Sequence, residues 1–250
     1  MLSRQQLEIL NRKTIRYPLQ IAEKDYMLAL VLQLISQSPL SKKLAFKGGT
    51  ALHHCYLEQS RFSEDLDFSS IQQSFSFEEV LKVLSSVDYL TIKKHYQSVA
   101  TMKIERLLYS GPIGFPNSLK LDIDLYQEVL LPVHEMVYRT SWGIEFPVRV
   151  MDIREICAEK IRAMSDRARY RDFFDVYLIQ KTYKLELQEI LDYVSQKEIR
   201  KPITKASILR NWNMIGEQKE IEKQAIFYSQ PIDDSLIEEM LKGFPSFEIG

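Results

Sequence analysis

Residues Phe46–Phe68 read FKGGTALHHCYLEQSRFSEDLDF, and the fold turns on how this stretch is taken. The apolar run Leu44–Lys47 has strand character and is broken at Gly48 and Gly49. Thr50 then opens a helix running to about Leu57, with its hydroxyl placed as a cap. Asp65–Ser69 alternates polar and apolar residues, which makes it a second strand. Asp65 and Asp67 project from one face of it, while Leu66 and Phe68 turn to the core. The plain reading makes the glycines a turn and Ser63-Glu64-Asp65-Leu66 a locally capped bend. The chemical reading is sharper. A glycine turn opening a helix presents backbone N–H groups to phosphate oxygens, and paired carboxylates suit a hard divalent cation.

The same alternation recurs in KLDIDL, Lys120–Leu125. Lys120, Asp122 and Asp124 share one strand face, and Leu121, Ile123 and Leu125 share the other. If the two strands are neighbours, three or four carboxylates converge, and like charges in a cleft resist joint ionisation. Magnesium, or manganese in its place, is the usual compensation, and it retains contacts to substrate phosphates. Two Asp-x-Asp pairs taken alone remain ambiguous among nucleases, polymerases and structural clusters. The preceding glycine turn shifts the balance to nucleotidyl transfer from an NTP. It is not a P-loop, since no Gly-x-x-x-x-Gly-Lys occurs.

Outward from these strands, Ile21–Ser36 has helical apolar spacing. Phe77–Val87 is an amphipathic helix with Ser76 as its cap and Glu79 three residues on. Tyr89–Tyr96, Thr101–Tyr109 and Leu119–Tyr126 read as strands, the last two joined antiparallel through the turn GPIGFPN (Gly111–Asn117). Phe146–Asp152 is a further short strand. Beyond it four to six helices fill the chain. The expected fold is α+β (α/β): a mixed sheet flanked by helices over residues 1–151, then a helical region over 152–250.

At 250 residues and 45% hydrophobic, the chain is long and apolar enough for a real core. Cys55 and Cys157 are too few for a disulfide framework. The N-terminal MLSRQQLEIL lacks a signal-peptide core, and the best apolar run, Tyr26–Ile35, is too short for a membrane span. The expectation is a cytoplasmic protein with no membrane partner. A net charge of −1 gives no general attraction to nucleic acid. RNA binding would need local patches, for which Arg154–Arg171 and the set Lys197, Arg200, Lys201, Lys205 and Arg210 are candidates. Solvated helix faces are the plain alternative for both.

The stretch KGGTALHHCYL…RFSEDLDF resembles the first motif of the AbiEii/AbiGii-type nucleotidyltransferase toxins. These belong to the polymerase-β-like superfamily and are the toxin halves of type IV toxin–antitoxin and abortive-infection systems. EICAEKIRAMSDRARYRDFFDVYLI resembles the family's second signature, an Ala-Glu-Lys helix followed by Arg-Asp-x-x-Asp. The resemblance spans about residues 21–180. It implies that Gly48, Gly49, Thr50 and Ser63 hold the triphosphate, and that Asp65, Asp67 and a third acid, Asp122 or Asp124, hold magnesium. It implies site roles for Lys160 and Asp172, with Arg61, Arg167, Arg171 and Asp175 in support. Some family members modify the tRNA acceptor end and others are described as binding GTP. The resemblance therefore implies a transferase, a cognate antitoxin, and an RNA, a small molecule or a protein hydroxyl as acceptor. A non-catalytic nucleotide-binding partner is the competing class.

A helical wheel over Asp152–Arg169 gathers Ile153, Ile156, Cys157, Ile161, Met164 and Ala168 on an inward arc, with Lys160 inside it and Arg167 nearly beside. Arg154, Arg162, Arg169, Glu155 and Asp166 fall on the opposite, solvated face. A lysine in a buried arc needs an anionic partner, either a triphosphate or Asp172 or Asp175. Asp172 also fits the cap of the next helix. His53, His54 and Cys55 do not make a zinc site, because adjacent helical residues diverge by about 100°.

Overall fold

The computed structural model describes residues 1–71, 76–197, 199–216, 218–229 and 231–250. Contacts divide the chain into two units, Met1–Glu58 with Phe62–Met151, and Asp152–Gly250 with Gln59–Arg61.

The first unit is built round helix α2 (Leu19–Ser36), preceded by α1 (Arg4–Lys13), which a Ser3–Gln6 capping box starts. Nearly every turn of α2 is buried, and Tyr26, Met27, Leu28, Val31 and Leu32 face apolar neighbours. A helix buried all round must satisfy its own polar residues. Asp25 accepts a hydrogen bond from Trp142 Nε1 at 2.8 Å and lies 3.5 Å from His54 Nε2. The His54 ring stacks on Tyr138 with centroids 4.5 Å apart, and its Nδ1 is 3.1 Å from the Arg139 carbonyl. His54 is thus a core residue.

Against α2 lies a seven-stranded mixed sheet. Its strands are β1 (Leu44–Lys47), β2 (Asp65–Ser70), β3 (Leu90–Gln97), β4 (Thr101–Tyr109), β5 (Asn117–Asp124), β6 (His134–Arg139) and β7 (Glu145–Val150), in the order β3-β4-β5-β2-β1-β7-β6. The pairs β2–β5 and β1–β7 are parallel and the others antiparallel. Phe46, Leu66, Phe68, Ile104, Leu107, Leu121 and Ile123 fill the core side. Helix α4 (Phe77–Leu84) carries the Ser76–Glu79 capping box the sequence signals, and ends three residues earlier than expected, at a Ser85 cap. Strand β6 was not anticipated: it is an edge strand with Tyr138 as its one buried residue, so its alternation is thin.

The second unit holds six helices among the described residues: α5 (Ile153–Asp166), α6 (Tyr170–Tyr183), α7 (Leu187–Gln196), α8 (Lys205–Ile215), α9 (Gln218–Ala225) and α10 (Asp234–Gly243). A two-residue pairing of β8 (Ile203–Thr204) with β9 (Glu248–Ile249) accompanies them. Glu155 corrects the wheel. It is fully buried and its carboxylate meets Lys197 Nζ, itself buried. Neither belongs to a solvated face, and Lys197 leaves the basic patch proposed for it. The partner stands 42 residues away, so no local periodicity reveals it. No helix among the described residues is long and apolar enough to cross a membrane.

The buried Glu23 carboxylate accepts from the backbone N–H of Ile113 at 2.5 Å and Gly114 at 3.3 Å, tying α2 to the β4–β5 turn. Gly111 allows the approach, since a Cβ there would overlap that carboxylate. Glu23→Ala leaves a part-buried donor without its acceptor. It is expected to cost roughly 1–3 kcal/mol in chemical denaturation, whereas a change on the exposed side of α1 leaves stability within about 0.5 kcal/mol.

Candidate active site

Strand alternation puts Asp65 and Asp67 on the open face of β2, with Leu66 and Phe68 beneath. Parallel pairing with β5 sets Asp67 against Asp122, Asp65 against Lys120 and Ser69 against Asp124. Antiparallel pairing with β1 sets Lys47 against Asp67, and pairing with β4 sets Lys103 against Asp122. One line across the sheet therefore runs Lys103, Asp122, Asp67, Lys47, with acids at its centre and a lysine on each side.

The lysines are the residues that sequence reasoning missed. Lys103 Nζ lies 3.0 Å from Asp122 Oδ2, and Lys47 Nζ reaches Asp124 Oδ2 at 3.4 Å. Lys47 immediately precedes the glycine turn and Lys103 alternates with buried Met102 and Ile104, so both were legible as open-face residues. Their partners were not, because strand order is invisible locally. The two candidate third acids differ. Asp124 Oδ1 accepts from Tyr126 N at 2.9 Å and Gln127 N at 3.0 Å, which makes it the anchor of the bend after β5. Burial pushes its carboxyl up, but Lys47 and those two N–H groups outweigh burial and hold it below the usual range. Asp122 makes no such bend and directly adjoins Asp67.

The glycine turn packs on these acids. Helix α3 (Gly48–Ala51) starts at Gly48 and continues as a π turn over Leu52–Tyr56. Thr50 is inside the helix rather than at its cap. Its buried hydroxyl donates to the Asp65 carbonyl at 2.5 Å, fastening α3 to β2. What Thr50 and Gly49 offer a phosphate is therefore backbone, not hydroxyl. Gly48 has φ +75°, and a Cβ on it would overlap the Asp67 carboxylate. Ser63 is half-buried in the loop before β2.

Among the described residues no three His, Cys, Asp or Glu side chains stand close enough to hold a metal ion. The donor set nonetheless suits magnesium: three carboxylates on adjoining strands of one face, with lysine charge opposing their repulsion.

The second unit holds a separate cluster. Arg61, buried, grips Asp175 through two parallel bonds, Nε to Oδ1 at 2.8 Å and Nη2 to Oδ2 at 2.7 Å. Lys160 lies 2.8 Å from Asp175 and 3.1 Å from Asp172, and Arg167 Nε is 2.8 Å from Asp172. Asp172 lies within α6, capped by Arg169, so the cap reading gives way to the ion-pair reading. Lys160 and Arg167 are consequently engaged within the protein. Within this set three cations face two carboxylates. Arg171 takes no part in it. Burial works to raise the Asp172 carboxyl, but Lys160 and Arg167 together hold it below the usual range.

The sequence matches the family model described as the nucleotidyl transferase AbiEii toxin of type IV toxin–antitoxin systems, over residues 30–248. The chain belongs to the AbiEii family. It is a nucleotidyltransferase by that membership. Its fold is similar to that of MenT4, a nucleotidyltransferase toxin from Mycobacterium tuberculosis, at 19% identity and a TM-score of 0.55, over 94% of this chain and 98% of that one. It is also similar to JHP933 from Helicobacter pylori, at 18% identity and a TM-score of 0.59, over 89% and 90% of the two chains. At such identities the likeness is one of fold. A comparison with curated protein sequences gives no match.

Two outcomes follow for this AbiEii chain. Gly48→Ala forces a side chain into a left-handed backbone and into the Asp67 carboxylate; transfer activity is expected to fall at least about tenfold, with stability reduced by roughly 1–3 kcal/mol. A depressed carboxyl contributes stability that is complete above its unfolded value, near 3.9, and is lost as pH falls through the folded value. Denaturation midpoints followed from pH 6 downwards should therefore drop steeply below about pH 4 in the wild type. Asp172→Asn should start lower and show a shallower acid limb.

Proposed function

We propose that the chain transfers a nucleoside monophosphate from an NTP to an RNA end in a magnesium-dependent reaction. The tRNA acceptor end is the target and a block of translation the consequence. One observation supports the chemistry above the others: Asp67 adjoins Asp122 across β2 and β5, while its carboxylate fills the space that Gly48 leaves open. The chain's resemblance to a family some of whose members modify the tRNA acceptor end supports the acceptor.

In this reading Asp65, Asp67 and Asp122 would hold the metal ion, which would supply positive charge to the triphosphate and to the oxygens that enter and leave. Gly48, Gly49 and Thr50 present backbone N–H groups to the phosphates at the start of α3. Asp122 receives the proton of the attacking RNA hydroxyl. That hydroxyl oxygen bonds to the α-phosphorus, the bond to the bridging oxygen breaks, and pyrophosphate leaves. Ser63 orients the loop that delivers Asp65. In the second unit Lys160 is a phosphate-binding residue, held ready by Asp172 and Asp175. Arg61 pairs with Asp175 and Arg167 with Asp172, which positions those two carboxylates. A cognate antitoxin is the partner of the toxin, which acts in the cytoplasm.

The protein is expected to label RNA when incubated with total RNA, magnesium and each labelled NTP in turn. Asp67→Asn should lower labelling by roughly 10²–10⁴-fold or more while the melting temperature holds. Its expression should no longer arrest growth as the wild type does. Label appearing on an aminoglycoside or a protein hydroxyl instead would overturn the RNA acceptor. Wild-type turnover in Asp67→Asn would overturn the carboxylate assignment.

A further inference from the structure

The line of residues through the acids does not stop at Lys103. Strand β3 is one edge of the sheet, and its Tyr96 pairs in register with Lys103. His95 and Gln97 lie opposite Ile104 and Met102 on the core side, so Tyr96 stands on the open face. Tyr96 is 52% exposed. Lys94 pairs with Arg106 one step along, and the irregularity between Ile104 and Leu107 turns both Glu105 and Arg106 outward. Lys120, exposed, stands beside Asp65.

These residues form one patch. Glu105 meets Lys94 Nζ, and its carboxyl is held below the usual range first by that hydrogen bond and then by the charges of Lys94, Lys103 and Lys120. Three lysines, Lys94, Lys103 and Lys120, thus act on one half-buried acid next to the carboxylates, and Arg106 pairs in register with Lys94. The chain as a whole carries a net charge of −1, so this face departs from the average. Lysines at a sheet edge also discourage strand pairing between molecules. That account covers Lys94 and leaves Lys103 and Lys120, which lie on strands inside the edge, and Tyr96, an aromatic residue on the edge strand itself.

We propose that the open face of β3, β4 and β5 is the track for the single-stranded end of the acceptor RNA, with Tyr96 stacking on a base and Lys103 and Lys120 meeting its phosphates. The proposal rests on the RNA reading of the site. Charge selects a polyanion, and an exposed aromatic ring set among lysines selects one that carries bases. A hydroxyl that follows this line from the edge strand arrives at Asp122, two strands in from Tyr96. Lys103 pairs with Asp122 in this structure, and would be free to meet the acceptor phosphate where a metal ion took that carboxylate.

Fluorescence anisotropy with a short labelled single-stranded RNA ending in a free hydroxyl tests the track without NTP. Tyr96→Ala should weaken binding roughly 5- to 100-fold, and Tyr96→Phe should restore it. Lys120→Ser should make the dependence of log affinity on log salt shallower by about 0.7. In turnover, Tyr96→Ala should raise KM for RNA and leave KM for NTP unchanged. Melting curves matching the wild type confirm that the exposed substitutions leave the fold intact. Tyr96→Ala binding as tightly as the wild type overturns the track while RNA remains the acceptor. A wild type that binds no RNA, yet transfers label to another hydroxyl, overturns the RNA reading itself and the track with it.

Discussion

Carboxylates crowded on one face of a sheet must be compensated, and that electrostatic constraint organises the first unit. Asp65, Asp67 and Asp122 stand on adjoining strands with their side chains on the open face. Burying their charge without a counterion would be costly, and leaving it in a cleft would set each acid against the others. The protein answers with Lys103 at Asp122 and Lys47 at Asp124, one on each side. It also brings the start of α3 against Asp67, which only a glycine at position 48 permits. The apolar undersides of the same strands, Leu66, Phe68, Leu121 and Ile123, anchor the face on the core.

The second unit meets a related constraint by a different route. Its acids, Asp172 and Asp175, are fully buried, so each must be matched within the protein. The matching group is richer in cations than in anions, and Arg61 holds Asp175 by two parallel hydrogen bonds. Within it two carboxylates, Asp172 and Asp175, hold the Lys160 ammonium in a fixed direction.

Much of this was legible in the sequence because strand alternation is a local property. The shared faces of Asp65 with Asp67 and of Asp122 with Asp124 follow from period two alone, and so does the core role of Leu66 and Leu121. The glycine break before α3 was equally plain. What was not legible depends on partners far along the chain. Glu155 sat on the polar side of a helical wheel until Lys197, 42 residues on, entered its surroundings. Thr50 carried the signature of a cap, yet its hydroxyl serves the Asp65 carbonyl 15 residues away. Strand β6 carries one buried residue, too few for a periodic signal. The distinction between Asp122 and Asp124 likewise needed the bend at Tyr126 and Gln127 and the register with β2.

The central claim is that the open-face carboxylates hold the metal ion beside the glycine turn. Anomalous diffraction from crystals grown with manganese and a non-hydrolysable NTP tests it most directly. The account predicts a manganese peak bounded by Asp65, Asp67 and Asp122, with Lys103 turned away from Asp122 and the triphosphate at the start of α3. A nucleotide bound elsewhere on the chain, with Lys103 still paired to Asp122 and no manganese among these acids, would contradict it.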